Sequence, residues 1–154
     1  MKQLYKKLKK AFPFVGERGI TEDDVFSFCA DHGIEIVFSP HITDASYVTY
    51  DGESFIFVNH KLNGWRLLHR LCHEIGHYLF HVPTQSSFAV EMYGLEHYRK
   101  RNECEAEAVA AWLMLPMHEM ENTLQSGIYK NDKEIGGLIS TRINVFKYES
   151  KTKA

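Results

Sequence analysis

The sequence predicts an α+β fold, with a small antiparallel or mixed sheet packed on helices. Segments rich in β-branched and aromatic residues lie between residues 34 and 59, and they surround an Asp-Gly pair that is typical of a tight hairpin. From residue 63 onward apolar residues recur instead at intervals of three and four, as they do on one face of a helix. The chain has 154 residues, which suits a single domain with a sizeable core.

The composition argues against several broad classes of protein. With 18 Lys and Arg against 20 Asp and Glu, the formal net charge is −2, so no global positive field favours nucleic acid or membrane surfaces. No apolar segment has the length of a membrane span, and no signal-peptide core follows the basic start. The three cysteines form no Cys-x-x-Cys pair, which suits a reducing compartment. We therefore expect a cytoplasmic protein that binds neither nucleic acid nor membranes directly.

Residues 1–19 are expected to form a basic arm or helix. Leu4, Leu8 and Phe12 recur every four residues, and five lysines share this stretch, which is the pattern of a short amphipathic helix. Such a helix could pack through its apolar side, or its lysines could dock an acidic partner. The pattern leaves both possibilities open.

Residues 20–116 carry the elements of the expected core. Thr21 and Asp24 have the spacing of a capping box, so a helix should begin there and end near Gly33. The hairpin turn is expected at Gly52 and the residue before it. The expected strands are residues 34–38, 45–50 and 54–59.

Helical periodicity dominates the second half of the chain. One helix should run from residue 64 to a stop before Pro83, and a loop is expected over residues 83–101. An alanine-rich helix follows at residues 102–115. Residues 117–154 form a helical extension in this scheme. Its expected parts are a helix at residues 117–125 that ends at Gly127, and a weaker helix after Gly136 and Gly137.

Residues 73–77 read His-Glu-Ile-Gly-His and lie on the first of these helices. Because a helix makes one turn in about 3.6 residues, His73 and His77 share a face and can reach one metal ion. Glu74 lies beside them, where such a carboxylate takes a proton from water that the metal acidifies. The apolar stripe of the helix lies nearly opposite, so the two histidines also fit a solvated polar side without any metal.

A catalytic zinc ion needs a third protein ligand. The helix at residues 102–115 offers three carboxylates, of which Glu103 and Glu107 lie one turn apart on an alanine-rich side, while Glu105 faces the other way. Small side chains allow a close helix approach, and a buried carboxylate needs a partner. We predict Glu103 as the third ligand and Glu107 as an acceptor for the N–H of a ligand histidine. Alternatively, both glutamates decorate a solvated helix end.

The two motifs occur in succession along the chain. Residues 73–81 read His-Glu-Ile-Gly-His-Tyr-Leu-Phe-His, and residues 103–116 read Glu-Cys-Glu-Ala-Glu-Ala-Val-Ala-Ala-Trp-Leu-Met-Leu-Pro. This succession resembles the ImmA/IrrE family of small zinc metallopeptidases, and the resemblance covers roughly residues 20–116. The chain departs from the family at three positions: Glu107, where Asn or Asp is usual, Val109, where Phe is usual, and Cys72, which precedes the first predicted ligand.

The resemblance implies a zincin-like core of the gluzincin type. It assigns His73, His77 and Glu103 as zinc ligands and Glu74 as the catalytic base. It also implies an intracellular endopeptidase that cleaves a helix-turn-helix transcriptional repressor, which relieves repression of mobile-element or stress-response genes. The alternatives are a regulatory module that keeps a structural zinc and docks on a repressor without cleaving it, and a metal-free helical interaction protein. No helix-turn-helix segment is evident in this chain, and no pattern predicts its oligomeric state.

Other residues near the motifs have less defined roles. A donor that stabilises the developing oxyanion would complete the site, and the sequence does not choose among three candidates. These are Tyr93, His97 and Tyr98. His81 is expected at the rim of the site rather than as a ligand. Cys72 and Cys104 point away from the ligands and are expected to be small core residues.

Overall fold

Helices and a three-stranded mixed sheet make up the fold, which confirms the α+β prediction. The computed structural model describes the backbone of residues 1–81 and 95–150, with side chains described for residues 1–81 and 99–149. The helices of this part are α1 (Lys2–Ala11), α2 (Glu22–Asp31), α3 (Gly64–His81), α4 (Leu95–Met114), α5 (Met120–Ser126) and α6 (Lys133–Ser150). The strands are β1 (Ile34–Ser39), β2 (Ala45–Tyr50) and β3 (Glu53–Asn59), and short 3₁₀ turns occupy Met117–Glu119 and Ile128–Lys130. None of the described helices is long and apolar enough to cross a membrane.

The sheet has the order β1-β3-β2, with β3 in the centre. The predicted hairpin joins β2 and β3 in antiparallel register, and positive φ angles of 53° at Asp51 and 77° at Gly52 match the tight turn that an Asp-Gly pair favours. β1 pairs with β3 in parallel, so the sheet is mixed. Because β3 takes the centre, β2 becomes an edge strand, and it packs against α3.

The predicted capping box begins α2. The Thr21 hydroxyl accepts a hydrogen bond from the Asp24 backbone N–H at 3.2 Å, and the Asp24 carboxylate accepts one from the Thr21 N–H at 2.9 Å. Arg18 donates to the same carboxylate at 2.6 Å, and this bond is the main reason why the pKa of Asp24 falls to about 2. The helix ends at Asp31, and Gly33 follows with φ of 67°.

The apolar side of α1 packs into the core. Leu4, Tyr5, Leu8 and Phe12 are buried, and the ring of Tyr5 lies 5.1 Å from that of Trp112 in α4. The five lysines of the helix are exposed. The helix therefore packs on the core through its apolar side, which was one of the two possibilities. Docking of an acidic partner by the lysines stays a prediction.

Two predicted helix boundaries and the predicted burial of Cys104 were wrong. α4 begins at Leu95 rather than at residue 102, and α6 runs through Gly136 and Gly137 instead of beginning after them. The side chain of Asp132 caps α6 by accepting from the backbone of Glu134, and three buried side chains hold the first turns. Packing of this kind outweighs the cost of about 1 kcal/mol for each glycine. The buried side chains are Ile135, Leu138 and Ile139. Cys104 is exposed, whereas Cys72 is buried as predicted.

The helices α3 and α4 pack closely together at Gly76. A Cβ atom at this position would lie 3.0 Å from the α-carbon of Ala106 and 3.2 Å from the Cβ of Val109. Both neighbours are fully buried. A Cβ here would push these neighbours back by a few tenths of an ångström, so the glycine at position 76 lets the side chains of the two helices come closer together.

We predict opposite effects for two glycine substitutions. Gly137→Ala should raise the free energy of unfolding by up to about 1 kcal/mol, because helix propensity improves and no atom lies within 4 Å of the added Cβ. Gly76→Ala has the same gain in propensity but forces α3 and α4 apart, which costs about 1–3 kcal/mol. Urea unfolding of both variants measures the difference. Equal effects would show that α3 and α4 tolerate a side chain between them.

A second prediction concerns acid stability. Asp24→Asn should lower the free energy of unfolding by about 1 kcal/mol at neutral pH, because it removes the Arg18 ion pair and weakens the capping box. The folded pKa of about 2 lies below the ordinary value of 3.8 for an aspartate, so this stabilisation is complete above the higher value and is lost as the pH falls through the lower one. The gap between wild type and Asp24→Asn in urea unfolding should therefore stay constant from pH 7 to about 5 and close near pH 2. If the two proteins still differed in their free energy of unfolding near pH 2, the low folded pKa of Asp24 would be contradicted.

Candidate metal centre

The crossing of α3 and α4 brings three potential metal ligands together. One ligand atom each from His73, His77 and Glu103 lies within 4.8 Å of the other two. The Glu103 carboxylate faces both rings, at 2.8 Å from Nε2 of His73 and 2.9 Å from Nε2 of His77. Two imidazole nitrogens and one carboxylate oxygen are a donor set that suits zinc and related transition metals. The three residues predicted from the two motifs thus form a group that could hold a metal ion.

Glu107 lies behind this group, on the far side of His73. One of its oxygens is 2.9 Å from Nδ1 of His73, and the other is 2.7 Å from Nε2 of His69. Burial opposes ionisation of this carboxyl, but the two imidazoles lower its pKa to about 2. The Glu107 carboxylate therefore accepts a hydrogen bond from Nδ1 of His73, while Nε2 of the same ring faces Glu103. His69 is not among the predicted residues, although its spacing of four from His73 was a signal for it.

Glu74 lies on the side of α3 that faces the sheet. Its side chain is buried, and the backbone N–H of Tyr47 in β2 donates to its Oε2 at 2.8 Å. Burial raises the pKa of this carboxyl, and the nearby His77 and His73 partly offset the effect. A carboxylate with raised proton affinity beside a metal-binding group has the properties of a general base.

The charges around the group favour a bound cation. Burial opposes protonation of His73, but the facing carboxylates of Glu103 and Glu107 raise its pKa to about 9. The pKa of Glu103 falls well below its usual value because the rings of His73 and His77 hydrogen-bond to it. Carboxylates crowded into a half-buried site need positive charge close to them, and a proton or a metal ion can supply it. The residues present therefore fit a metal ion.

A cleft of about 430 Å³ opens onto these side chains. The edge strand β2 forms one wall, and the helices α3 and α4 form the others. The described residues that line it are Asp44, Ala45, Ser46, Tyr47, His69, Arg70, His73, Glu74, His77, Glu103 and Glu107. The cleft thus joins an edge strand to the metal-binding group and to the Glu74 carboxylate.

His81 does not lie at the rim, contrary to the prediction. Its side chain is buried, with Nδ1 at 3.0 Å from Nδ1 of His77 and Nε2 at 3.0 Å from an oxygen of Glu105. Glu105 lies on α4 and was predicted to face away from α3, so its contact with His81 corrects that prediction. Glu105 also accepts from Arg101 at 3.0 Å. A second carboxylate thus supports the metal-binding group, through an imidazole. The only signal in the sequence for this role of His81 was its spacing of four residues from His77.

The candidates for an oxyanion-stabilising donor lie outside the described side chains. Tyr93 is outside the described residues altogether. His97 and Tyr98 belong to the backbone of α4, but their side chains are not described. The choice among the three stays open.

The chain matches a known family model. The family model Peptidase_M78, the IrrE N-terminal-like domain, matches residues 29–147. The chain belongs to this family. The match confirms the family that the two motifs predict, and it spans all of β1 to α5 and most of α6. Membership in a peptidase family and a His/Glu group able to hold a metal ion together indicate a metallopeptidase. Searches of curated proteins and of solved structures found no significant match.

We predict that Glu103→Ala abolishes metal binding at this centre. The purified chain should hold about one metal ion, and removal of one of three ligands should weaken binding by more than the 10- to 100-fold that loss of an outer hydrogen-bond partner costs. Elemental analysis after dialysis measures the metal content. Glu121→Ala, an exposed glutamate on α5, is the matched control and should keep the metal. Retention of the metal in Glu103→Ala would rule out Glu103 as a ligand.

Proposed function

We propose that this chain is a zinc-dependent endopeptidase that acts in the cytoplasm and cleaves a helix-turn-helix transcriptional repressor. The observation that carries the proposal is the position of Glu74. A buried carboxylate with a raised pKa adjoins the group of His73, His77 and Glu103 and lines the same cleft. A metal-binding group with a neighbouring general base is the arrangement that metal-assisted peptide hydrolysis needs.

Zinc is the metal that suits these donors best. His73, His77 and Glu103 would hold it through two nitrogens and one oxygen, which is the ligand set of many catalytic zinc sites. When bound, zinc supplies Lewis-acid chemistry, in that it polarises a carbonyl and lowers the pKa of water to about 7.

Glu74 is the residue that moves the proton. Its Oε2 is held by the N–H of Tyr47, so Oε1 is the oxygen placed to take a proton from the attacking water. The same oxygen then donates this proton to the nitrogen of the leaving amine. The raised pKa of the carboxyl suits both steps, because a base with very low proton affinity would not accept the proton at neutral pH.

An extended peptide fits the cleft by pairing with the sheet. β2 is an edge strand, and Ala45, Ser46 and Tyr47 of this strand line the cleft next to Glu74. Edge strands bind extended chains through main-chain hydrogen bonds. A segment bound in this way would place one peptide bond beside the metal-binding group.

The repressor substrate and the cytoplasmic location rest on the ImmA/IrrE family. The family match supports a role like that of its regulatory proteases. Cys29, Cys72 and Cys104 are free thiols, which is compatible with a reducing compartment. The sequence has no evident DNA-binding motif, so this chain would recognise the repressor through protein–protein contacts rather than through shared DNA.

The test is cleavage of a co-expressed repressor by wild type and by Glu74→Gln. The variant should keep its zinc, because Glu74 is not a ligand, and should lose cleavage by about 10²- to 10⁴-fold. Glu119→Gln, an exposed glutamate in the 3₁₀ turn after α4, is the control and should cleave normally.

Two results would contradict the proposal. Normal cleavage by Glu74→Gln would remove Glu74 from the reaction. A zinc-loaded wild type that binds the repressor without ever cutting it would identify the regulatory docking module instead.

A further inference from the structure

Four histidines lie at intervals of four residues along α3. They are His69, His73, His77 and His81, and all of them are buried or half-buried. The rings of His73 and His77 are 4.9 Å apart, and those of His77 and His81 are 5.1 Å apart. Only the central two belong to the proposed ligand set, so the outer two need another explanation.

The hydrogen bonds of His77 set where its proton must lie. Its Nε2 faces the Glu103 carboxylate at 2.9 Å, on the side where a metal would bind. A nitrogen that binds a metal ion has no proton, so the proton of a neutral His77 must be on Nδ1. This Nδ1 lies 3.0 Å from Nδ1 of His81, which must then be the acceptor.

The same reasoning extends to the next two groups. If Nδ1 of His81 accepts, the proton of this ring is on Nε2, and Nε2 lies 3.0 Å from an oxygen of Glu105. A carboxylate accepts this bond readily. Every donor in the series therefore meets an acceptor when the Nε2 of His77 is free to bind a metal.

We propose that His81 and Glu105 are positioning residues for the metal centre. Glu105 holds the proton of His81 on Nε2, and His81 in turn holds the proton of His77 on Nδ1. With the proton of His77 on Nδ1, the lone pair of its Nε2 is available to a bound metal. This inference rests on the proposed function, because it concerns the same zinc site.

The two ligand histidines are thus supported in different ways. His73 contacts the Glu107 carboxylate directly, whereas His77 is linked to the Glu105 carboxylate through the ring of His81. His81 is only 2% exposed, so water has little access to replace it if it is removed. Arg101 donates to the other oxygen of Glu105, which holds the carboxylate in place.

The test is zinc affinity, measured by competition with a chelator of known affinity. His81→Leu removes the acceptor and should weaken zinc binding 10- to 100-fold, the range observed for outer partners of metal ligands. Glu105→Gln keeps an acceptor for His81 but removes the charge, so a smaller loss is expected. His81→Asn offers an oxygen near the position of Nδ1 and should recover part of the loss in His81→Leu. His118→Asn, an exposed histidine in the turn after α4, is the control and should bind zinc like wild type.

Two further measurements separate positioning from a merely structural role. The visible spectrum of the cobalt-loaded protein reports ligand geometry and should change in His81→Leu. Urea unfolding of the metal-free variants reports stability, and a purely structural residue would lower stability there while zinc affinity stayed unchanged. If His81→Leu does not fold, the zinc affinity of Glu105→Gln tests the positioning role instead. This variant should fold, because Gln has the shape of Glu and position 105 is only half-buried.

The outcomes distinguish this inference from the proposed function. Wild type that binds no zinc would overturn both. Wild type that binds zinc, with unchanged affinity and cobalt spectrum in His81→Leu and Glu105→Gln, would overturn the positioning role alone. Weaker binding in these two variants, with normal binding in His118→Asn, would support it.

Discussion

The close contact between α3 and α4 at Gly76 is the constraint on which the site depends. Gly76 has no Cβ, and Ala106 of α4 therefore lies against the backbone of α3. At this separation the Glu103 carboxylate reaches the rings of both His73 and His77. A larger separation would leave a carboxylate and two imidazoles on different helices without a common metal position. The packing of small side chains thus controls the chemistry of the site.

The sheet contributes to the site through a single strand. β2 is at the edge of the sheet, and its backbone holds the Glu74 carboxylate through the N–H of Tyr47. The Glu74 carboxylate, which we propose as the general base, is thereby fixed to one wall of the cleft. Parallel pairing of β1 with β3 leaves β2 in this position, so the topology of the sheet and the orientation of the base are linked.

Glu107 shows how a longer side chain can serve two partners. The Glu side chain contacts His73 with one oxygen and His69 with the other. The contact therefore joins an additional turn of α3 to the metal-binding group. With Glu105 and His81 at the other end, α4 supports the histidines of α3 over three turns.

The sequence by itself determined the features that depend on local spacing. The capping box at Thr21, the hairpin at Gly52, and the placement of His73, Glu74 and His77 on one helix follow from residues only a few positions apart. Helical geometry also favoured Glu103 as the residue that faces the histidine pair, but it wrongly turned Glu105 away from α3, where Glu105 contacts His81.

Only the tertiary structure decided the rest. The parallel pairing of β1, the passage of α6 through Gly136 and Gly137, and the burial of His81 against Glu105 all arise from contacts between distant segments. Such contacts outweigh local propensities of about 1 kcal/mol, so no pattern within one segment could reveal them.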